Sequence, residues 1–545
     1  MPGPTTPTEP AGHGGLPPRG LSATSSSSAF EGRFGRMFRN LPVYTPSETS
    51  LVKLGQSMIQ DIEEGKLDQP LGSDDDDENT AQLDGQLRLP AGYTYFGQFV
   101  DHDITFDPAS SLTRQDDPDA LVDYRTPRFD LDNLYGRGPS DQPYLYQPDG
   151  LHLTLGKPVS EDQRIAGPDL QRVETGRAII GDPRNDENLI VSQIQSTFLR
   201  FHNAVLDQVG AANSNLAKED VFKLTQQTVR WHYQWVVIHD YLRRLVGQEV
   251  IDDILRPGPY TTPGGAEVDL PTPRLRFYHW HKRPYMPIEF SVAAYRFGHS
   301  IVRPSYLIND VAKAEPPVQG ASRIPLFSQT GQEKQSLDGF RVLPSDWGVE
   351  WKYFLPGVNG SDPTGANHLP QPSYKLDAVL SHPLGALTNA TAEPELVVAG
   401  FDPSIAQVLA VRNLLRGLRM GLPSGQDVAR AMGIEPLSDE ELLGGLELDE
   451  ATKKDLEGHA PLWFYVLKEA EKLTESAHLG PVGGRIVAEV LIGLLAADPL
   501  SYLSVQPNWQ PTLSSATPGK FTLSDLVNIA IPAPEAPAPP VYTGS

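Results

Sequence analysis

Apolar residues recur at three- and four-residue intervals over several stretches of this chain, a spacing that predicts amphipathic helices. Leu189, Ile190, Ile194, Phe198 and Leu206 fall on one stripe, and Val221, Leu224, Val236, Tyr241 and Leu245 on the next. Further helices are predicted over 288–302, 403–418, 461–473 and 486–495, with Pro304 ending one and Gly421-Leu422-Pro423 another. There is no internal repeat of roughly 20–50 residues, and no run of alternating strands appears. The expected fold class is mainly α: a single large helical domain over 31–531 with long loops, between disordered tails at 1–30 and 532–545. Both tails are dominated by Pro, Gly, Ser, Thr and Ala, which cannot bury enough apolar surface to offset the entropy of ordering.

Charge and composition narrow the chemistry. The chain has 545 residues with 69 acidic against 45 basic, a net charge of −24, so its surface repels phosphate backbones and nucleic acid is not an expected partner. The absence of cysteine excludes disulfides, iron-sulfur clusters and thiolate ligands, leaving N and O donors for any metal. Residues 1–28 carry no apolar stretch of the kind a secretion signal needs, so a cytoplasmic location is expected. The longest apolar run, 487–497, contains Glu489 and is too short for a membrane span. The acidic run 74–78 reads as a solvated loop rather than a calcium site.

Four segments could carry chemistry, and each has an ordinary alternative. In Phe96-Gly97-Gln98-Phe99-Val100-Asp101-His102-Asp103, helical geometry puts Gln98 and His102 on one face with Asp101 beside them; a salt-bridged surface histidine is the alternative. Gly181-Asp182-Pro183-Arg184-Asn185-Asp186-Glu187 could be no more than a helix start, with Asp186 as the N-cap. Tyr295-Arg296-Phe297-Gly298-His299 places a histidine on an apolar helix, where satisfied core residues are common. Asn413, in Val411-Arg412-Asn413-Leu414, could face solvent.

Together these four resemble the animal-type haem peroxidases of the peroxidase-cyclooxygenase superfamily, and in particular bacterial members. Order, spacing and wording agree over about 89–498. The resemblance implies a hydrogen-peroxide-dependent enzyme that oxidises small anions such as iodide, bromide and thiocyanate, or phenolic donors. It implies haem b as cofactor, with His102 as distal histidine, Gln98 as its partner and Arg184 as distal arginine. His299 is implied as the iron ligand, Asn413 as the acceptor of a hydrogen bond from its ring, and Arg296 as the holder of a haem propionate. Asp101 and Glu187 fall where the family forms ester bonds to haem.

Peroxide cleavage needs a base to move a proton between oxygens, and a histidine with pKa near neutrality suits that. A fixed guanidinium stabilises the negative charge on the departing oxygen.

The stretch Thr126-Pro127-Arg128-Phe129-Asp130-Leu131-Asp132 resembles the family's calcium loop. It implies Ca²⁺ bound by Asp103, Thr126, Asp130 and Asp132 side chains and the Arg128 carbonyl. Two departures stand out. Asn188 occupies the place of the methionine that myeloperoxidase alone links to haem, which argues against chloride oxidation. Leu418-Arg419-Met420 replace the usual Arg-Asp-His before Gly421-Leu422-Pro423. Tyr278-His279-Trp280-His281 resembles proximal wording of cyclooxygenases, with His281 as ligand and Tyr278 as radical site; the wording around His299 matches better. A fatty-acid dioxygenase would place tyrosine at 296, where this chain has arginine. A helical calcium-binding or interaction protein without haem is the reading from outside enzymology.

Overall fold

Most of the apolar stripes are helices in the computed structural model. It describes residues 32–532 apart from 61–81, 84–85, 88, 108–111, 113–115, 119–120, 161–166, 262–266, 281–282, 315–322, 328–334, 359–369 and 388–397. The expected tails (all but residue 532), the acidic run 74–78 and His281 lie outside the described residues. In chain order the helices are α1 (Glu48–Ser57), α2 (Ala91–Ile104), α3 (Asp132–Tyr135), α4 (Leu189–Ala212) and α5 (Lys218–Val236). The last continues through wide π turns (Val237–Leu242) into α6 (Arg243–Val246), followed by α7 (Gln248–Ile254) and α8 (Asp310–Ala314). Then come α9 (Leu409–Arg419), α10 (Gly425–Met432), α11 (Asp439–Leu443), α12 (Glu450–Leu456), α13 (Leu462–Leu473), α14 (Pro481–Ala497), α15 (Tyr502–Val505) and α16 (Leu523–Ala530). No described helix is long and apolar enough to cross a membrane.

Helix α2 is placed by aromatic packing. Phe99 stacks on Phe198 of α4 with centroids 4.5 Å apart, and Tyr233 of α5 meets Phe96, Phe99 and Phe198 edge-on. Such pairs add about 0.5–1.5 kcal/mol each beyond area burial, enough in combination to fix the rotation of α2 and hence the direction of Gln98 and His102. Helix α14 is buried on nearly all sides, which suits its almost wholly apolar sequence. Its buried Glu489 accepts from the backbone amides of Arg276, Phe277 and Tyr278, which offsets the cost of burying a carboxylate.

Three local expectations are corrected. First, 288–302 is not one α-helix: Glu289–Ala293 is a π turn and Ala294–His299 a 3-10 turn, with the break at Ala293 (φ −128°, ψ −81°). Carbonyls that a continuous helix would pair with amides are taken by side chains: Ser291 by the Arg296 guanidinium and Arg296 by the Trp463 indole. Second, Asn188 caps α4 by accepting from the Val191 amide at 2.9 Å, while Asp186 is held by Arg172 at 2.6 and 2.7 Å. Third, Leu255–Thr261 and Glu267–Pro273 pair as an antiparallel hairpin. Its prolines hid it, yet they are tolerated in a hairpin with no third strand among the described residues.

Candidate active site

A cavity of about 580 Å³ lies between α2, the broken 289–299 segment and α9, inside the ~300–1,000 Å³ range of small-molecule sites. His102 and His299 both line it, as do Gln98, Asp101, Arg184, Glu187 and Arg296. Asn413 stands just behind His299. All eight residues implied for haem and catalysis therefore gather at one place.

On the α2 wall, His102 is turned by a partner that the sequence reading missed. Its Nδ1 lies 2.7 Å from Oδ1 of Asn185, whose amide nitrogen donates in turn to Gln195 at 2.8 Å. With the Asn185 amide oriented by Gln195, the ring must donate from Nδ1, which leaves Nε2 as a proton acceptor. Burial, reinforced by the Arg184 charge, lowers the His102 pKa to about 3. The expectation of a value near neutrality is thus corrected: the imidazole stays neutral because a charged ring would be poorly solvated there.

Asp182 is the second missed residue. Arg184 Nη2 donates to Asp182 at 2.7 Å and to the carbonyls of Thr105 and His102 at 2.6 and 3.1 Å, with its guanidinium 4.5 Å above the Phe106 ring. Burial alone would raise the Asp182 pKa, but the charges of Arg184 and Arg125 hold it well below the usual carboxylate range. This clamp fixes a cation beside His102 before anything binds. Gln98 donates to Glu187 and accepts from Asn188 at 3.2 Å. Burial raises the Asp101 pKa and brings that of Glu187 up to about 7, opposed in both by Arg184.

On the opposite wall, burial and then Arg296 lower the His299 pKa to about 3, so this ring too is neutral, the form that binds a metal. Asn413 is buried, not solvent-facing. Its amide nitrogen lies 2.8 Å from His299 Nδ1, and its oxygen accepts from Arg296 at 2.7 Å. The implied bond from ring to amide oxygen is therefore reversed here, because Arg296 has taken that oxygen. Arg296, Arg412 and Arg416 all line the cavity, and burial followed by the neighbouring Arg416 charge lowers the Arg296 pKa to about 10. Three guanidiniums beside two neutral imidazoles form a donor set that fits a carboxylate-bearing iron porphyrin. The open space at Gly298, where an added Cβ would meet nothing within 4 Å, agrees with this.

Asp103, Asp130 and Asp132 bring carboxylate oxygens within 4.8 Å of one another. Buried oxygens of Asp103 and Asp130 accept no hydrogen bond, and burial followed by Asp130 raises the Asp103 pKa. Thr126 donates to Asp130 at 2.7 Å, and Leu131 between the aspartates is held in the left-handed region at φ 55°. Arg128 lies in the same turn, its guanidinium 3.9 Å from Asp498. Tyr278, the alternative radical site, instead bonds the Tyr285 carbonyl at 2.8 Å and packs on Trp280, away from the cavity wall.

The sequence model described as animal haem peroxidase matches residues 111–343, a segment that includes Arg184 and His299. That segment is similar to the animal haem peroxidases. Among relatives, heme peroxidase 2 of Caenorhabditis elegans is 22% identical over 60% of this chain and 40% of its own length. Chorion peroxidase of Aedes aegypti is 21% identical over 64% of this chain and 37% of its own. The chain thus spans less than half the length of these two relatives. Among solved structures, peroxidase A from Dictyostelium discoideum aligns with TM-score 0.51 at 15% identity, covering 90% of this chain and 93% of that one. A fatty acid alpha-dioxygenase from Arabidopsis thaliana aligns with TM-score 0.52 at 14% identity, covering 90% and 76%. At these identities the structures share the helical peroxidase fold, and their chemistry does not transfer with it.

Proposed function

We propose that this chain is a hydrogen-peroxide-dependent haem peroxidase that oxidises small anions (iodide, bromide, thiocyanate) or phenolic donors. The observation that carries the proposal is the pair of neutral imidazoles, His102 and His299, lining one cavity with an anchored guanidinium beside the first. His299 would ligate the iron, Arg296, Arg412 and Arg416 would hold the propionates, and Asp101 and Glu187 would form ester links to ring methyls. Bound there, haem b supplies the oxidising equivalents of the reaction.

The remaining work belongs to side chains. Nε2 of His102 accepts a proton from one peroxide oxygen and returns it to the other, which departs as water. Arg184 stabilises the negative charge on the departing oxygen without reorganising, since Asp182 and two carbonyls already hold it. Gln98, fixed between Glu187 and Asn188, orients peroxide or an anionic donor. Asp103, Asp130, Asp132, Thr126 and the Arg128 carbonyl bind Ca²⁺, which relieves the crowding of three carboxylates and ties the loop to the residue next to His102.

The test is peroxide-dependent oxidation of guaiacol and iodide by haem-loaded protein, with His102→Ala and Arg184→Ala each expected to lose at least about a hundredfold. Near wild-type turnover in either variant, or oxygen uptake with linoleate in place of peroxide turnover, overturns the assignment.

A further inference from the structure

A second cleft, of about 530 Å³, opens beside the π turn that joins α5 to α6. Arg243, Arg244, Lys520, Trp235 and His239 line it, so a chain of net charge −24 here presents cations around a tilted pair of rings, Trp235 and His239, with centroids 3.9 Å apart. Phenols connect it to the active-site cavity. Tyr295 and Tyr241 both line that cavity, their hydroxyls 3.1 Å apart. The Tyr241 ring lies nearly parallel (9°) to that of Tyr93 at 6.5 Å, and the Tyr93 hydroxyl donates to Asp240 at 2.6 Å. Asp240 forms part of the cleft wall and is paired with Arg244 at 2.9 Å.

Two local features hold this connection. Asp240 and Tyr241 are consecutive on the π turn between α5 and α6, which sends one side chain to the cleft and the next to the cavity; such turns often mark functional sites. Gly97 on α2 admits the Tyr241 hydroxyl, because a Cβ there would stand 2.1 Å from that oxygen.

We propose that this cleft binds an anionic aromatic electron donor, too large for the space that haem would leave in the cavity, whose electrons reach the cavity one at a time through Tyr93, Tyr241 and Tyr295. The inference rests on the peroxidase reading, since hydrogen peroxide is the oxidant. Oxidising a phenol makes it strongly acidic, so its proton must have somewhere to go. Tyr93 loses one electron toward the cavity and its phenolic proton to the Asp240 carboxylate, leaving a neutral radical beneath the Arg244 guanidinium, which sits 4.6 Å over the ring. The bound donor then gives Tyr93 one electron, Asp240 returns the proton, and the donor leaves as a one-electron-oxidised radical. Two donors are consumed per peroxide, which with two protons becomes two waters.

The experiment uses the full-length holoenzyme with two donors, iodide and the dianionic aromatic dye ABTS. In Tyr93→Phe, ABTS turnover is expected to fall at least tenfold in kcat, while iodide turnover changes less than twofold. With peroxide and no donor, freeze-quenched electron paramagnetic resonance is expected to show a tyrosyl radical component in the wild type that is absent from the variant, a readout that does not require access to the buried Tyr93 ring. Independently of haem, equilibrium dialysis of ABTS should weaken at least fivefold in Arg243→Glu with Lys520→Glu. Wild-type ABTS turnover in Tyr93→Phe, a radical spectrum identical in wild type and variant, or unchanged dialysis overturns the relay while leaving the peroxidase reading intact. Failure to oxidise either donor with peroxide overturns both.

Discussion

Asn185 gives the sharpest test of how the α2 wall works, because it touches the base and not the reacting atoms. In Asn185→Ala the His102 Nδ1 proton loses its acceptor at 2.7 Å, and no water-exposed route replaces it in a buried pocket. Leaving a buried donor unsatisfied costs about 1–3 kcal/mol. At about 1.4 kcal/mol per tenfold, that corresponds to a roughly 5- to 150-fold slower proton transfer if the whole penalty falls on the active orientation. Tautomer mixing by itself could account for only about a factor of two, so a larger loss reports misorientation of the ring. The assay is the second-order rate constant of the haem-loaded enzyme with peroxide by stopped flow, with haem content checked in parallel. His102→Ala introduced on top should add little, since Asn185 acts only through that ring. An unchanged rate in Asn185→Ala, or full additivity in the double variant, would refute the argument.

Three further outcomes are expected. With His102 lowered from 6.5 to about 3, the ring's neutral form contributes fully to stability above pH 6.5, and that contribution is lost as pH falls toward 3. The peroxide rate constant should therefore show no acid limb near pH 6.5; such a limb, abolished in His102→Ala, contradicts the burial argument. Any limb near pH 7 that disappears in Glu187→Gln reports an unesterified Glu187, whose pKa is up at about 7, and denaturing extraction into acidic solvent should then release more haem. Chelation with EDTA should lower the thermal midpoint by several degrees, as loss of a ligand held at about a hundred times its Kd removes roughly 2.7 kcal/mol. Added Ca²⁺ should restore it in the wild type and not in Asp130→Ala, and an EDTA-insensitive melt removes the metal from the Asp103, Asp130 and Asp132 cluster.

Much of the site was legible because its spacing is helical. Gln98, Asp101 and His102 fall on one side of a regular α-helix, and any residue pattern that predicts α2 also predicts their proximity. What stayed hidden depends on partners distant in sequence. Asp182 and Asn185 stand beside Arg184 and were quoted with it, but Asn185 takes its role from His102, 83 positions earlier, and Asp182 is shared with Arg125, 57 positions earlier. The break at Ala293 was invisible for the opposite reason: π, α and 3-10 turns bury much the same apolar stripe, and only the claims of Arg296 and Trp463 on carbonyls distinguish them. Asn188 displaced Asp186 as cap because Arg172 had already engaged the aspartate, a pairing across 14 residues with no helical period to announce it.

The two walls of the cavity differ in what completes them. The α2 wall is finished by protein atoms alone: Asp182 holds Arg184, Asn185 holds His102, and Gln98 is fixed on both sides. The α9 wall is not. A ring bound to iron through Nε2 carries its proton on Nδ1 and requires an acceptor, yet the Asn413 amide turns its nitrogen to that atom because Arg296 donates to its oxygen. Turning the amide alone would set two donors, the amide nitrogen and Arg296, against each other. Arg296 therefore has to leave the amide before Asn413 can accept from His299, and a carboxylate of the incoming cofactor is the anion that would draw it away. On the peroxidase reading, seating a propionate and orienting the His299 ring would be one event on this wall, while His102 and Arg184 opposite are already held by Asn185 and Asp182.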